Sequence, residues 1–360
     1  MLHGECVNPV RYHEQESGQN HAPVDNANIY LKIAPWNGNE VRTTSSKTMS
    51  RSLSENHPAK KRHIGRFAPS PTGFLHTGSL VAAMASWLDA RAQGGLWLLR
   101  IEDLDPPREV PGSADQIVAT LADLGFEWHG EVVRQSTRHA LYDEAFARLQ
   151  SSGLVYPCAC TRREIDEAGI APDSIADSTS RTAIYPGTCR NGLPPGRVPR
   201  AWRMRVPDES IVFTDRASGL VRQNLAREVG DFVIKRADGL WAYQLAVVVD
   251  DAEQGVTDIV RGADLLDSTP RQILLQRALG WPSPRTLHLP LVVDAHGEKL
   301  AKKNGATAID RRHPLAELRR AARHLGMSID DASSITAFWN EATRQWSVRW
   351  RLNPVREGKK

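Results

Sequence analysis

The chain has 360 residues, 41% of them hydrophobic and 24% charged, with a formal net charge of +4. Those values exclude collagen-like, wholly disordered and disulfide-scaffold classes, and the length allows two or three units with cores of ordinary size. The longest apolar run, 245–249, stops at Asp250-Asp251, far below the ~18 residues of a membrane span. The first twenty residues carry no hydrophobic leader. Cys158, Cys160 and Cys189 cluster in sequence while Cys6 stands apart, a usage that points to a metal site in a reducing compartment and an expected cytoplasmic setting. So mild a positive charge permits a nucleic-acid partner without requiring one.

Residues 1–62 are rich in Asn, Ser, Glu, Lys and Pro and lack a sustained period, so they are expected as a disordered N-terminal extension, within which Met49 offers a later start. Order is expected from His63. Residues 63–68 form a short strand, closed by the turn signal Pro69-Ser70-Pro71-Thr72-Gly73. Gly78-Ser79 opens a helix whose apolar residues Leu80, Ala83, Met84, Trp87 and Leu88 keep helical spacing, and Gly94-Gly95 ends it. The apolar run 96–101 suits a buried parallel strand and leads into Glu102-Asp103. Helical patterns follow at 112–124 and 137–152. The alternation of strand and helix predicts an α/β fold with a parallel, Rossmann-like sheet.

From 157 to 200 the chain turns irregular, with the three clustered cysteines and a Ser/Thr/Asp-rich stretch. Strand-like runs return at 201–213 and 240–249, and 256–260 leads to Arg261-Gly262. A helix is expected at 269–279 and a strand at 287–293, and beyond Pro314 the chain reads as helical and arginine-rich. The expected organisation is the extension at 1–62, a first half of a catalytic domain at 63–157 and a metal-bearing insertion at 158–257. The second half, at 258–310, carries a lysine loop, and a helical C-terminal region occupies 311–360.

Between His63 and Gly358 there are 32 arginines, and the lysines are Lys235, Lys299, Lys302 and Lys303. Three lysines within five residues, in a sequence that otherwise uses arginine, fit phosphate contact by a compact point charge. Neither Gly-x-Gly-x-x-Gly nor Gly-x-x-x-x-Gly-Lys-Ser/Thr occurs. His76-Thr77-Gly78-Ser79 stands at the first strand–helix turn instead, where helix amides and a histidine donor can meet a phosphate. Cys158-x-Cys160, followed after 24 residues by Tyr185-x-x-x-Cys189, offers three thiolates and a phenolate, a set suited to one tetrahedral structural zinc ion. Asp166, Asp173 and Asp177 are alternatives to Tyr185 as fourth ligand.

Arg66-Phe67-Ala68-Pro69-Ser70-Pro71-Thr72-Gly73-x-x-His76-x-Gly78, with Lys299-Leu300-Ala301-Lys302-Lys303 about 220 residues later, resembles the class I aminoacyl-tRNA synthetases of the glutamyl/glutaminyl branch. Arg100-Ile101-Glu102-Asp103, Trp241-Ala242-Tyr243-Gln244, Val249-Asp250-Asp251 and Ile259-Val260-Arg261-Gly262-Ala263-Asp264 add to the likeness, which covers 63–310. Only 57 residues follow Lys303, and the insert beginning Tyr156-Pro157-Cys158-Ala159-Cys160 points the same way. Both features resemble the truncated branch that attaches glutamate to the queuosine base in the anticodon of tRNA(Asp).

That resemblance implies a ligase that uses ATP, with Mg2+, to form glutamyl-adenylate. It implies glutamate contacts at Arg66, Phe67, Ala68, Pro69, Ser70, Glu102, Tyr243 and Arg261. Substrate chemistry agrees: Glu102 can hold the ammonium, and Arg66 and Arg261 can each bind a carboxylate in a bidentate fork. Catalysis would rest on His76, Gly78, Ser79 and Lys302, and ATP would also meet Lys299 and Lys303. The resemblance further implies Tyr185 as the fourth zinc ligand. Asp250 and Asp251 are expected mainly as structural hydrogen-bonding groups, with magnesium or ribose contact the lesser reading. Two positions depart from the family pattern. Ser79 stands where the nucleotide signature has a histidine, as in the truncated branch, and Ala301 replaces a serine whose hydrogen bond would be worth ~0.5–1.5 kcal/mol. A monomer is expected. The other readings of the chain are a short synthetase charging the tRNA 3′ end and an inert zinc- and RNA-binding module.

Overall fold

The computed structural model describes residues 62–168, 183–292 and 308–352. The lysine loop at 299–303, the N-terminal extension, and Asp173 and Asp177 lie outside the described residues.

The chain opens with β1 (Ile64–Phe67), α1 (Thr77–Ala92) and β2 (Leu96–Ile101), then α2 (Ser113–Asp123), β3 (Val133–Arg134) and α3 (His139–Ser151). β1, β2 and β3 form a parallel sheet in which Arg66 pairs with Leu98 and Ile101 with Arg134. Next come β4 (Val155–Cys158), α4 (Arg162–Ala168), β5 (Ala201–Met204), β6 (Ser210–Asp215), β7 (Gly219–Asn224), α5 (Leu225–Glu228) and β8 (Val233–Lys235). α6 (Tyr243–Glu253), β9 (Asp258–Gly262), α7 (Ser268–Leu279) and β10 (Arg285–Leu289) follow, and α8 (Pro314–His324) and α9 (Ile335–Arg349) close the described chain.

A second sheet has the order β7-β6-β10-β9, parallel except for the β6–β7 hairpin. It meets the first where Thr257 N donates to Ile64 O (2.9 Å) and Ile64 N donates to Thr257 Oγ1 (2.9 Å). Chain order therefore departs in opposite directions from the β1/β9 junction, the kind of switch point whose strand ends form ligand crevices in open α/β sheets. Arg66 and Arg261 sit near the ends of those two strands. Of the segment expected as an insertion, β5 pairs antiparallel with both β4 and β8, whereas β6 joins β10.

One expectation is corrected: the apolar run read as a strand at 240–249 is the helix α6. Leu245, Ala246, Val247, Val248, Val249, Asp250 and Asp251 are all buried, so no polar face marks the helical period. The strand-like run at 201–213 is likewise two strands in different sheets.

Two larger cores support the sheet. One joins α1 to β1, β2, α8 and α9, and the other packs α3, α6 and α7 against the β4-β5-β8 side. The indole of Trp339 on α9 lies 4.5 Å from Trp87 and 4.7 Å from Phe126, and its Nε1 donates to Leu124 O (3.0 Å). Gly125 makes that approach possible: its φ is +78°, and a Cβ there would meet Ile335 Cγ2 at 2.5 Å.

Candidate active site and metal centre

The turn after β1 is tied down on two sides. Glu102 N donates to Pro69 O (3.0 Å), and Ser113 Oγ donates to Gly73 O (2.6 Å). Phe67 points into the core and stacks on Trp97 at 6.4 Å, while Ala68 and Pro69 are half-buried and Ser70 is exposed at the rim. His76 caps α1: its Nδ1 accepts from Ser79 N (3.4 Å), and its Nε2 lies 3.1 Å from Ser79 Oγ. Gly78 falls in the first turn, where helix amides have no intrahelical acceptor. His76 thus caps α1, with Ser79 as its partner through both backbone and side chain.

Arg66 is buried, and its Nε and Nη2 donate to Asp251 (3.2 and 3.4 Å). Arg100, fully buried on β2, donates Nη2 to Asp251 (2.8 Å) and to Glu102 (3.3 Å), and Nη1 to Gln254 (2.6 Å). Asp250 instead takes hydrogen bonds from Gln135 (2.7 Å), Arg138 (2.6 Å) and Tyr142 (2.9 Å). The structural reading of Asp250 and Asp251 therefore fits the geometry. Burial alone would raise the Asp251 carboxyl, but Arg66 and Arg100 outweigh it and hold it below the usual range. Glu102 goes the other way: burial raises it, and Arg100 and Arg66 offset this only partly.

Arg261 is also buried. Its Nε donates to His288 Nε2 (3.0 Å), and its Nη2 faces Thr269 Oγ1 (2.9 Å), Gln272 Oε1 (2.9 Å) and Leu265 O (3.2 Å). Nη1 reaches Tyr243 Oη at 3.4 Å. Behind His288, Asp215 Oδ2 meets Nδ1 at 2.7 Å. Gln244 joins α6 to α7 through Ser268 and Gln272. Tyr243, Arg261, Arg66, Glu102 and Asp251 lie within electrostatic reach of one another, and burial pushes the Tyr243 hydroxyl up.

The bidentate fork expected of each arginine does not match this geometry. Arg66 and Arg261 each donate Nε and Nη2 to groups of the protein, and Nη1 of Arg261 stands beside the Tyr243 hydroxyl. Arg100, Asp215, His288, Thr269 and Gln272 escaped the sequence reading because their partners lie on other strands or helices. The one available signal was a charged residue, Arg100, inside an otherwise apolar strand.

The lysine loop lies outside the described residues, but its return is visible. Ala308 forms an antiparallel bridge with His76, and Ile309 N donates to Leu75 O (3.1 Å).

Cys158, Cys160 and Cys189 present sulfur atoms within 4.8 Å of one another. Cys160 and Cys189 are 3.6 Å apart, and Tyr185 Oη lies 3.4 Å from Cys158 and 3.7 Å from Cys160. A tetrahedron of ~2.3 Å metal–sulfur bonds has edges of about 3.8 Å, and the 3.6 Å Cys160–Cys189 separation is close to such an edge. Cys189 N donates to Tyr185 Oη (2.9 Å), and Arg203 Nε to Cys158 Sγ (3.3 Å). Gly230, with φ +74°, lets the backbone of Tyr185 pass where a Cβ would stand 2.8 Å from its carbonyl oxygen. Asp166 does not belong to the cluster. A second group, His63, Asp89 and Asp258, is already neutralised, since Arg216 pairs with Asp89 (2.6 Å) and Arg285 with Asp258 (2.7 Å).

A switch-point crevice with paired arginines, a buried carboxylate and a histidine-capped helix defines the class to which the chain belongs: the class I tRNA synthetases (E and Q), whose catalytic domain matches residues 64–352. Within it, the chain is 59% identical over 292 residues to the Glutamyl-Q tRNA(Asp) synthetase of Burkholderia cenocepacia, covering 79% of this chain and 96% of that protein. The Glutamyl-Q tRNA(Asp) synthetase of Ralstonia nicotianae is 57% identical over 288 residues, covering 79% and 91%. Among solved structures, the glutamate-tRNA synthetase of Elizabethkingia anophelis superposes with a TM-score of 0.65 at 25% identity, covering 81% of this chain and 70% of that one. The parallel-sheet fold of class I synthetases is thereby established for this chain.

Proposed function

We propose that the protein activates L-glutamate with ATP and transfers it to the queuosine base in the anticodon of tRNA(Asp). The observation that carries this reading is the set Arg66, Glu102, Tyr243 and Arg261 at the β1/β9 junction, with both arginines buried and Tyr243 open to solvent, in a chain 57–59% identical to proteins of that name. Glu102 holds the ammonium group. Nη1 of Arg66 and of Arg261, with the Tyr243 hydroxyl, receive the carboxylates. The α-carboxylate attacks the α-phosphorus of ATP, pyrophosphate departs and glutamyl-adenylate remains. Such a step asks for alignment and charge stabilisation more than for a protein nucleophile. His76 and the Gly78 and Ser79 amides support the α-phosphate, and Lys302, with Lys299 and Lys303, neutralises the leaving pyrophosphate. Magnesium enters with ATP. A hydroxyl of the queuosine cyclopentene ring then attacks the adenylate carbonyl and AMP leaves.

Cys158, Cys160, Tyr185 and Cys189 would hold one zinc ion, whose chemistry is structural: it closes the insertion and leaves no open coordination position. A monomeric, cytoplasmic enzyme belongs to the same reading, and among the described residues no helix is long and apolar enough to cross a membrane.

Labelled glutamate, supplied with ATP, should be transferred to tRNA from queuosine-containing cells and not to tRNA lacking queuosine. The label should survive removal of the 3′ terminus. Equal label on both tRNAs would instead establish a short synthetase acting at the 3′ end, and label on neither would favour an inert zinc- and RNA-binding module.

A further inference from the structure

The adjacent strands β6, β10 and β9 each contribute one member of a buried chain: Asp215, His288 and Arg261, which are 1%, 2% and 5% exposed. In the β9–β10 register Arg261 stands directly opposite His288. Asp215 is held firmly. Its Oδ1 accepts from Ala217 N (3.0 Å) and Ser218 N (2.9 Å), and its Oδ2 meets His288 Nδ1 at 2.7 Å. Burial opposes its ionisation, yet His288 and these amides keep its carboxyl well below the usual range. An ionised carboxylate against Nδ1 accepts a hydrogen bond from that nitrogen, and Arg261, which can only donate, faces Nε2, so the neutral tautomer with its lone pair on Nε2 satisfies both; Thr269 Oγ1 lies 3.3 Å from the same nitrogen. That lone pair is where Arg261 Nε donates, at 3.0 Å.

We infer that His288, oriented by Asp215, is a positioning residue for glutamate binding: it fixes the plane of the Arg261 guanidinium so that Nη1, beside the Tyr243 hydroxyl, is the end presented to the substrate. The inference rests on the reading that Arg261 receives a glutamate carboxylate. A plain buried ion pair would need no imidazole between acid and base. Interposing one converts the acceptor into a directed lone pair, and Thr269, Gln272 and Leu265 occupy Nη2 and oppose rotation. The free energy of ordering the arginine is thus met during folding and not during binding.

The test uses the full chain with His288→Leu, which removes the acceptor at similar volume, and His288→Gln, whose amide oxygen can replace Nε2. In glutamate-dependent ATP–pyrophosphate exchange, His288→Leu should raise the glutamate KM about tenfold, the order expected when a hydrogen bond is lost in a buried site. The ATP KM should stay unchanged, and His288→Gln should remain within about threefold of wild type. An unchanged glutamate KM in His288→Leu, or identical behaviour of the two variants, would overturn the role. Nitrogen-15 spectra of the histidine-labelled wild type, assigned by the signal missing in His288→Gln, provide a readout independent of variant folding. They should show Nδ1 protonated and Nε2 unprotonated, and the opposite tautomer would overturn the arrangement. Absence of exchange in the wild type would count against the proposed function and leave the tautomer measurement to decide the relay.

Discussion

Arg100 lies among apolar neighbours in β2, and its setting explains the chemistry of Glu102. Burial disfavours its charge, but Asp251, Glu102 and Asp250 together hold the guanidinium more firmly protonated than usual. The same burial raises Glu102 above the ordinary carboxylate range. A carboxyl with a higher pKa folded than unfolded binds its proton more tightly in the native state. Its contribution therefore favours folding at low pH and is lost as pH rises from the unfolded value through the folded one. Glu102→Gln, neutral throughout, should melt at least as high as wild type at neutral pH. It should also lower glutamate-dependent exchange by roughly thirtyfold or more, because losing one partner of a buried charge pair costs about 2–5 kcal/mol. A lower melting temperature together with normal exchange would show that Glu102 serves the fold and not the substrate.

At the scale of elements, legibility followed periodicity and proximity. β1, α1 and β2 were readable because a turn signal, a helical stripe and a buried run follow one another within 40 residues. α6 was not, because a helix buried on every side has the same hydropathy as a central strand. The cluster of Cys158, Cys160 and Cys189 was readable because two of the three cysteines stand two residues apart and the third follows within 30 residues. Cys160→Ser should lower zinc content by elemental analysis from about one ion per chain to well below one, as structural zinc needs its full ligand set. Retained zinc would place the ion elsewhere. The end of the chain reads as helical from its pattern, but its docking on α1 depends on Trp339 and Trp346, whose Nε1 atoms reach Leu124 O and Asp89 Oδ1. Trp339→Ala should cost about 3–5 kcal/mol in denaturant unfolding, as for other large-to-small core changes. A loss near zero would mean α9 is not part of the cooperative core.

Across the whole molecule, the two ends of the sheet carry opposite kinds of electrostatics. At the start of β1 and β9, His63, Asp89 and Asp258 are closed into a network by Arg216, Arg285 and Gln93. At the far ends of the same strands, Arg66 pairs with Asp251, while Arg261 meets neutral partners: His288, Thr269, Gln272 and the Tyr243 hydroxyl. The first arrangement uses its charges to join α1 to the second sheet, whereas at the second the Arg261 cation has no carboxylate as a hydrogen-bond partner among the described residues. The bridge between Ala308 and His76 adds a geometric bound. Lys303 and Lys302 precede Ala308 by only five and six residues. At no more than ~3.6 Å per residue, the Cα of Lys302 lies within about 22 Å of Ala308, the residue bridged to the cap of α1. Under the proposed function, a phosphate at that helix end would meet these ammonium groups at an effective concentration fixed by chain length, of the millimolar order typical of short tethers, so lengthening 304–307 should lower it.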